Sequence, residues 1–162
     1  MNVGARVQAA ANALAGVLFL LLFLLFLAQI VARLLLHAPL PWSDEAVVVL
    51  YVWIILWGAA CVVPEREHVA FDLVWNLASE RARSAMHLTG HALLGGLALA
   101  ALPATWDYVH FMQRERTPVL GLPFFWVFLP LVVLVLSMVL RSVRVLWRAA
   151  LSAWQATRGR AR

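Results

Sequence analysis

The segment that decides the fold is Val7–Ala32, VQAAANALAGVLFLLLFLLFLAQIVA, which has 26 residues and no Asp, Glu, Arg or Lys. A helix rises about 1.5 Å per residue and a bilayer core is about 30 Å thick, so this run is long enough to cross a membrane. Three further charge-free runs follow, namely Ala46–Pro64, Ser84–Trp106 and Thr117–Leu140. The sequence therefore predicts an all-α integral membrane protein with four transmembrane helices.

Composition supports one membrane domain over residues 1–162. The chain is 64% hydrophobic and only 13% charged, so lipid must be the solvent for much of its surface. The segments outside the membrane are too short to fold as separate domains. The expected spans are about 10–32, 45–63, 85–106 and 123–142.

Arginine distribution predicts the topology. All 13 basic residues are Arg, and they flank the spans instead of forming a basic block with exposed aromatic residues, which argues against nucleic-acid binding. If the N-terminus is inside, only Arg33, Arg114 and Arg116 lie outside. The positive-inside rule then places both termini in the cytoplasm.

The first outside loop is predicted to be tight, because Pro39 and Pro41 both disfavour helix before the second span. Ser43 is the expected N-cap of that span. Asp44 and Glu45 follow as acidic residues that complement the positive end of the helix.

Residues 70–82 form an amphipathic pattern between the second and third spans, with polar residues three or four apart. Thirteen residues are too few to cross a bilayer, so the pattern predicts a short interfacial helix on the cytoplasmic side. The alternative is that these residues are the solvated first turns of the third span.

The third span carries small residues at four-residue spacing: Ala92, Gly96, Ala100 and Ala104. Small residues let helix backbones approach closely in lipid, so this stripe predicts a packing face, either within the chain or against a larger partner subunit. The alternative is chance, since Ala and Gly are frequent in this chain.

Candidate chemistry is sparse. His87 and His91 share a helical face and could ligate a metal or haem, which would make the chain a membrane anchor or cytochrome-like subunit of a redox complex. No second histidine is expected at membrane depth to complete such a site. A further group has the residue types of a metal site but no established ligand spacing: Glu65, Glu67, His68 and Asp72.

No nucleophile or phosphate-loop motif is present, so the sequence predicts no enzyme, cofactor or metal. Transporters and exporters usually place ionisable groups or broken helices within the membrane, whereas the four apolar runs quoted above contain no Asp, Glu, Arg or Lys. We therefore expect a helper subunit and not the conduit. A small self-assembling four-helix exporter is the remaining alternative, suggested only by size.

The order of several short motifs resembles the DctQ-type small membrane subunit of tripartite ATP-independent periplasmic (TRAP) transporters. An acidic residue opens the second span, a Trp and a Gly-Ala-Ala follow, and a His-Val-Ala-Phe-Asp segment begins ten residues after the Gly. A Thr-Pro entry and a mid-helix proline mark the last span. The matching positions are Glu45, Trp53, Gly58, His68, Asp72, Thr117, Pro118, Pro123 and Pro130. This chain differs at two places, because it has Val48 and Pro64-Glu65 where such proteins often carry basic residues.

This resemblance implies a non-conducting subunit in a bacterial inner membrane. Its implied partners are a large membrane subunit, whose stationary scaffold it would widen, and a periplasmic binding protein that delivers an organic acid for sodium-coupled uptake. The substrate itself would be chosen by those other subunits. Asp44, Glu45, Arg114 and Arg116 are the expected outer charges for docking the binding protein.

Overall fold

The computed structural model describes residues 3–35, 37, 40–62 and 79–159. Its long helices are α1 (Val3–Leu35), α2 (Pro41–Trp57), α3 (Glu80–Phe111) and α4 (Phe124–Gly159). One π-helical turn, Gly58–Val62, continues α2. Four helices in the described ranges are long and apolar enough to cross a membrane, which confirms the predicted all-α fold with four spans.

The helices pack side by side in the order α1, α2, α4, α3. The largest interface joins α3 to α4, while α2 lies between α1 and α4. Within the part of the chain that the structure describes, no other pair of long helices packs extensively. The described helices therefore form an open array with α1 and α3 at its edges, and not a closed bundle around one core.

The interfaces at both edges of the array use heptad-like spacing. The less exposed residues of α3, together with its C-cap Met112, recur three or four positions apart, in the series Leu88, His91, Gly95, Ala98, Leu102, Thr105, Val109 and Met112. The less exposed residues of α1 follow the same rule, in the series Ala11, Ala15, Leu18, Leu22, Leu25, Gln29 and Ala32. Such a period keeps one seam of each helix facing its neighbour over several turns.

Gly95 marks the closest approach of α3 to α4. A Cβ atom at this position would lie 2.5 Å from the Cβ of Ser142, which is far inside van der Waals contact. Ser142 is itself only 1% exposed. The glycine therefore permits the close packing of these two helices.

The start of α2 differs from the expectation. Leu40 occupies the N-cap position and Pro41 opens the helix, so Ser43 lies in the first turn and is not the cap. Proline is favoured at the first helical position because its φ is already helical and its missing N–H needs no partner. The buried Ser43 hydroxyl instead donates to the Leu40 carbonyl at 2.7 Å.

The predicted interfacial helix falls largely outside the described residues, because its residues 70–78 are not among them. Its last residues, 80–82, belong to the first turn of α3. Ser79 is the N-cap of α3, and its hydroxyl accepts from the backbone N–H of Ala82 at 3.4 Å.

Candidate functional site: the junctions that fix α2 and α4

The Glu45 carboxylate joins the first turn of α2 to the loop that enters α4. Its Oε1 accepts from the backbone N–H of Val119 at 2.8 Å, and its Oε2 accepts from that of Leu120 at 2.9 Å. The hydroxyl of Thr117 also hydrogen-bonds the carboxylate. One acidic side chain thus binds three groups of a loop more than 70 residues further along the chain.

The loop folds in a way that leaves these amides available. Thr117–Gly121 forms a single turn, in which Gly121 N–H bonds the Thr117 carbonyl at 3.1 Å. The first amides of such a turn have no carbonyl one turn earlier, and Pro118 has no amide hydrogen at all. Glu45 therefore supplies the acceptor that the turn itself lacks for Val119 and Leu120.

The ends of the loop are tied together. Thr117 N–H donates to the Leu122 carbonyl at 2.9 Å, and Phe124 N–H donates to the Glu115 carbonyl at 3.1 Å. Gly121 has a φ of +63°, a left-handed conformation that favours glycine. The loop is therefore a closed structure, and we call Thr117–Pro123 the entry loop.

Trp53 binds the backbone of α4 at the point where a proline interrupts its hydrogen bonds. Pro130 has no N–H to donate to the carbonyl four residues earlier, which belongs to Trp126. The indole N–H of Trp53 donates to that same carbonyl at 3.0 Å. The tryptophan thus satisfies the acceptor that Pro130 leaves open, and joins α2 to α4 a second time.

The π turn at the other end of α2 is a third junction. The Gln8 amide of α1 donates to the Cys61 carbonyl at 2.8 Å, and the Arg141 guanidinium of α4 donates to the Ala60 carbonyl. The carbonyls at a helix C-terminus lack intrahelical partners and carry partial negative charge. An amide and a cation from two neighbouring helices therefore complete this end of α2.

The outer charges that the sequence suggested for docking are unequally available. Asp44 accepts from the Gln29 amide of α1, Glu45 binds the entry loop, and Arg116 donates to the Gly121 carbonyl at 3.0 Å. Arg114 is exposed, as is Asp107 near the end of α3. The structure thus brings Glu45, Thr117 and Arg116 together around one loop and leaves Arg114 apart from them.

The small-residue stripe of the third span lies on the free edge of the array. All four of its residues are exposed, and a Cβ atom on Gly96 would meet nothing within 4 Å. Packing inside the chain uses the neighbouring face with Gly95 and Ala98 instead. Within the described residues the stripe therefore packs against no other helix of the chain, and its role against a partner stays a prediction.

The remaining predicted positions make few described contacts. The rings of His87 and His91 lie 4.5 Å apart and edge to face. Among the described residues, no group of three or more His, Cys, Asp or Glu side chains is arranged to hold a metal ion. Gly58 starts the π turn without a close neighbour, and His68 and Asp72, like Glu65 and Glu67, lie outside the described residues.

Sequence reasoning missed three contributors. Gln8, Gln29 and Arg141 act through partners on other helices, and nothing in their local sequence identifies those partners. The seam at Gly95 had a usable signal, because Gly95, Ala98, Leu102 and Thr105 alternate spacings of three and four residues. The regular four-residue stripe in the same helix predicts a different packing face, so the sequence alone does not choose between the two rows.

These features define a multi-pass membrane protein whose polar residues fix helices to one another. Its sequence matches the family described as tripartite ATP-independent periplasmic transporters, DctQ component, over residues 22–152. The chain belongs to this family of TRAP transporter small permease subunits. The resemblance drawn from the motifs is thereby confirmed, and these proteins are permease subunits and not enzymes.

The chain is also similar to parts of two named transporter proteins. It is 37% identical over 70 residues to the sialic acid TRAP transporter permease protein SiaT of Haemophilus influenzae, a match that covers 43% of this chain and 11% of that protein. It is 28% identical over 89 residues to the C4-dicarboxylate TRAP transporter small permease protein DctQ of Vibrio cholerae, covering 55% of this chain and 38% of that protein. The matched part is therefore well under two thirds of either relative.

Proposed function

We propose that this chain is the non-conducting small subunit that packs beside the scaffold of a large TRAP membrane subunit. The complex would carry out sodium-coupled uptake of an organic acid delivered by a periplasmic binding protein. The observation that carries the proposal is the open helix array, since such an array adds width to a neighbour without enclosing a path of its own. The names of both relatives include a carboxylic acid, which favours that substrate class.

The two edges of the array suit different surroundings. The free face of α1 presents bulky side chains such as Phe19, Phe23 and Phe26, each more than half exposed. The free face of α3 presents the stripe that includes Gly96 and Ala100. Bulky side chains suit fluid lipid, whereas small residues permit close contact with another helix, so the large subunit would lie against α3.

A conducting role is disfavoured by the spans themselves. None of the four charge-free runs contains an acidic or basic residue that could bind an ion or a carboxylate at membrane depth. The polar groups near the ends of α2 are occupied in holding helices together. The family assignment also leaves no reason to propose the redox-anchor or exporter alternatives.

The proposed setting is the bacterial inner membrane, with both termini in the cytoplasm. The entry loop and Arg114 would then face the periplasm, where the binding protein docks. Because Arg114 is exposed and separate from the Glu45 junction, it is the better docking candidate of the outer charges. Arg114→Ala should raise the half-saturating concentration of binding protein modestly at low salt and lose that effect at high salt. Unchanged half-saturation at low salt would remove Arg114 from the docking surface.

Reconstitution tests the function. Proteoliposomes would contain this chain alone, the large subunit with the binding protein, or all three, and uptake of labelled sialic acid and C4-dicarboxylates would be measured with and without a sodium gradient. We expect uptake only with all three proteins and the gradient. Uptake by the lone chain would contradict the non-conducting role, and equal uptake without this chain would contradict the supporting role.

A further inference from the structure

Helix α4 is longer than a membrane requires. Its 36 residues span about 54 Å, whereas a bilayer core is about 30 Å thick. The charge-free part of α4 ends at Leu140, and the helix continues from Arg141 to Gly159. The second part therefore extends through the headgroup region at that side of the membrane.

One side of this extension is apolar and uncovered. Val143, Trp147 and Leu151 are spaced four residues apart and are 56%, 66% and 41% exposed. Ser142, on the opposite side of the helix, is buried where α4 packs against α3. A row of large apolar side chains facing water is unfavourable, so this side calls for an apolar or interfacial environment.

Positive charge borders the same row. Arg144 and Arg148 are both exposed and lie one helical turn apart. From residue 141 to the end, the sequence carries six arginines and no acidic residue. We define the tail face as Val143, Arg144, Trp147, Arg148 and Leu151.

We propose that the tail face binds phospholipids with anionic headgroups. Arginine side chains can lay their apolar stems along the helix while the guanidinium groups reach phosphate oxygens. Tryptophan is favoured at the headgroup level because its ring is apolar and its N–H is polar. The charge pattern favours this occupant over a protein surface, because two adjacent arginines complement an anionic lipid layer along the whole row.

The test uses the full chain in vesicles with a nitroxide at Leu151→Cys in a Cys61→Ser background. Accessibility of the label to oxygen reports contact with lipid, and accessibility to a water-soluble nickel chelate reports contact with water. Vesicles would consist of phosphatidylcholine alone or with phosphatidylglycerol. The test variant is Arg144→Gln with Arg148→Gln, and Arg33→Gln with Arg114→Gln is the control of equal charge change.

In phosphatidylglycerol vesicles we expect a label that oxygen reaches and the chelate does not. Each arginine near an anionic surface strengthens binding to the membrane by roughly fivefold. The glutamine pair should therefore lower the ratio of lipid-exposed to water-exposed label by roughly 25-fold. The control should leave the ratio unchanged, and Arg144→Lys with Arg148→Lys should retain most of it. A ratio independent of lipid charge, or a label shielded from both reagents, would overturn the proposal, the latter because protein would then cover the face.

Discussion

Replacing Glu45 should separate the start of α2 from the entry loop. In Glu45→Ala, the amides of Val119 and Leu120 lose their acceptor together. Glu45→Gln keeps one oxygen but turns an NH₂ group toward an amide that is itself a donor. Both variants therefore leave at least one backbone N–H of the loop without its partner.

The magnitude follows from the two charge-assisted bonds. A hydrogen bond to a charged group contributes about 1.5–3 kcal/mol, and the partial exposure of this junction to water favours the lower value. We expect Glu45→Ala to lower Tm by about 5–10 °C, and Glu45→Gln by about half of that. For a chain of this size each kcal/mol corresponds to a shift of about 2–4 °C in Tm.

Thermal unfolding of the purified chain in detergent measures this effect. Glu115→Gln is the matched control, because it removes the same charge close to the same loop from an exposed side chain. Its Tm should stay within about 2 °C of the wild type, since a surface substitution usually changes stability by less than 0.5 kcal/mol. If Glu45→Ala and Glu115→Gln lower Tm equally, the carboxylate does not join α2 to the loop in the way described.

Two further junctions give predictions with internal controls. Trp53→Phe should lower stability by about 1–2 kcal/mol when Pro130 is present. The loss should be much smaller in a Pro130→Ala background, because the restored N–H of residue 130 can donate to the Trp126 carbonyl. Equal losses in the two backgrounds would refute the role of Trp53 as the donor that replaces this N–H. Gly95→Ala should destabilise by about 1–3 kcal/mol because the new methyl collides with Ser142. Gly96→Ala should be neutral or stabilise by up to about 1 kcal/mol, as helical Gly→Ala substitutions do where space is free. Chemical denaturation in mixed micelles measures both pairs, and equal effects at the two glycines would contradict the assigned packing face.

The four spans could be predicted from the sequence because the bilayer imposes length and composition on any helix that crosses it. The open arrangement could not, since an apolar side chain facing lipid looks the same in sequence as one facing another helix. The two small-residue rows of α3 illustrate this. The regular stripe through Gly96 drew attention, although the row through Gly95 makes the contact with α4.

The functional positions show a similar division. Short motifs identified Glu45, Trp53, Thr117 and Pro130 as a set, but not what each side chain binds. Glu45 could be interpreted as a first-turn charge or a docking residue because its amide partners are 74 and 75 positions away. Only the folded chain shows that Trp53 and Pro130 meet at one carbonyl.

Assembly with a large membrane subunit is the central claim, and affinity purification tests it most directly. The tagged chain would be extracted from its native membranes in mild detergent, beside a Gly96→Leu variant and a control with Phe23→Leu on the other edge. We predict that the wild type and Phe23→Leu elute with an equimolar large TRAP membrane subunit, while Gly96→Leu loses most of it and keeps its own fold. Elution of the wild-type chain without that subunit would contradict the account, and undiminished assembly of Gly96→Leu would contradict the proposed contact edge.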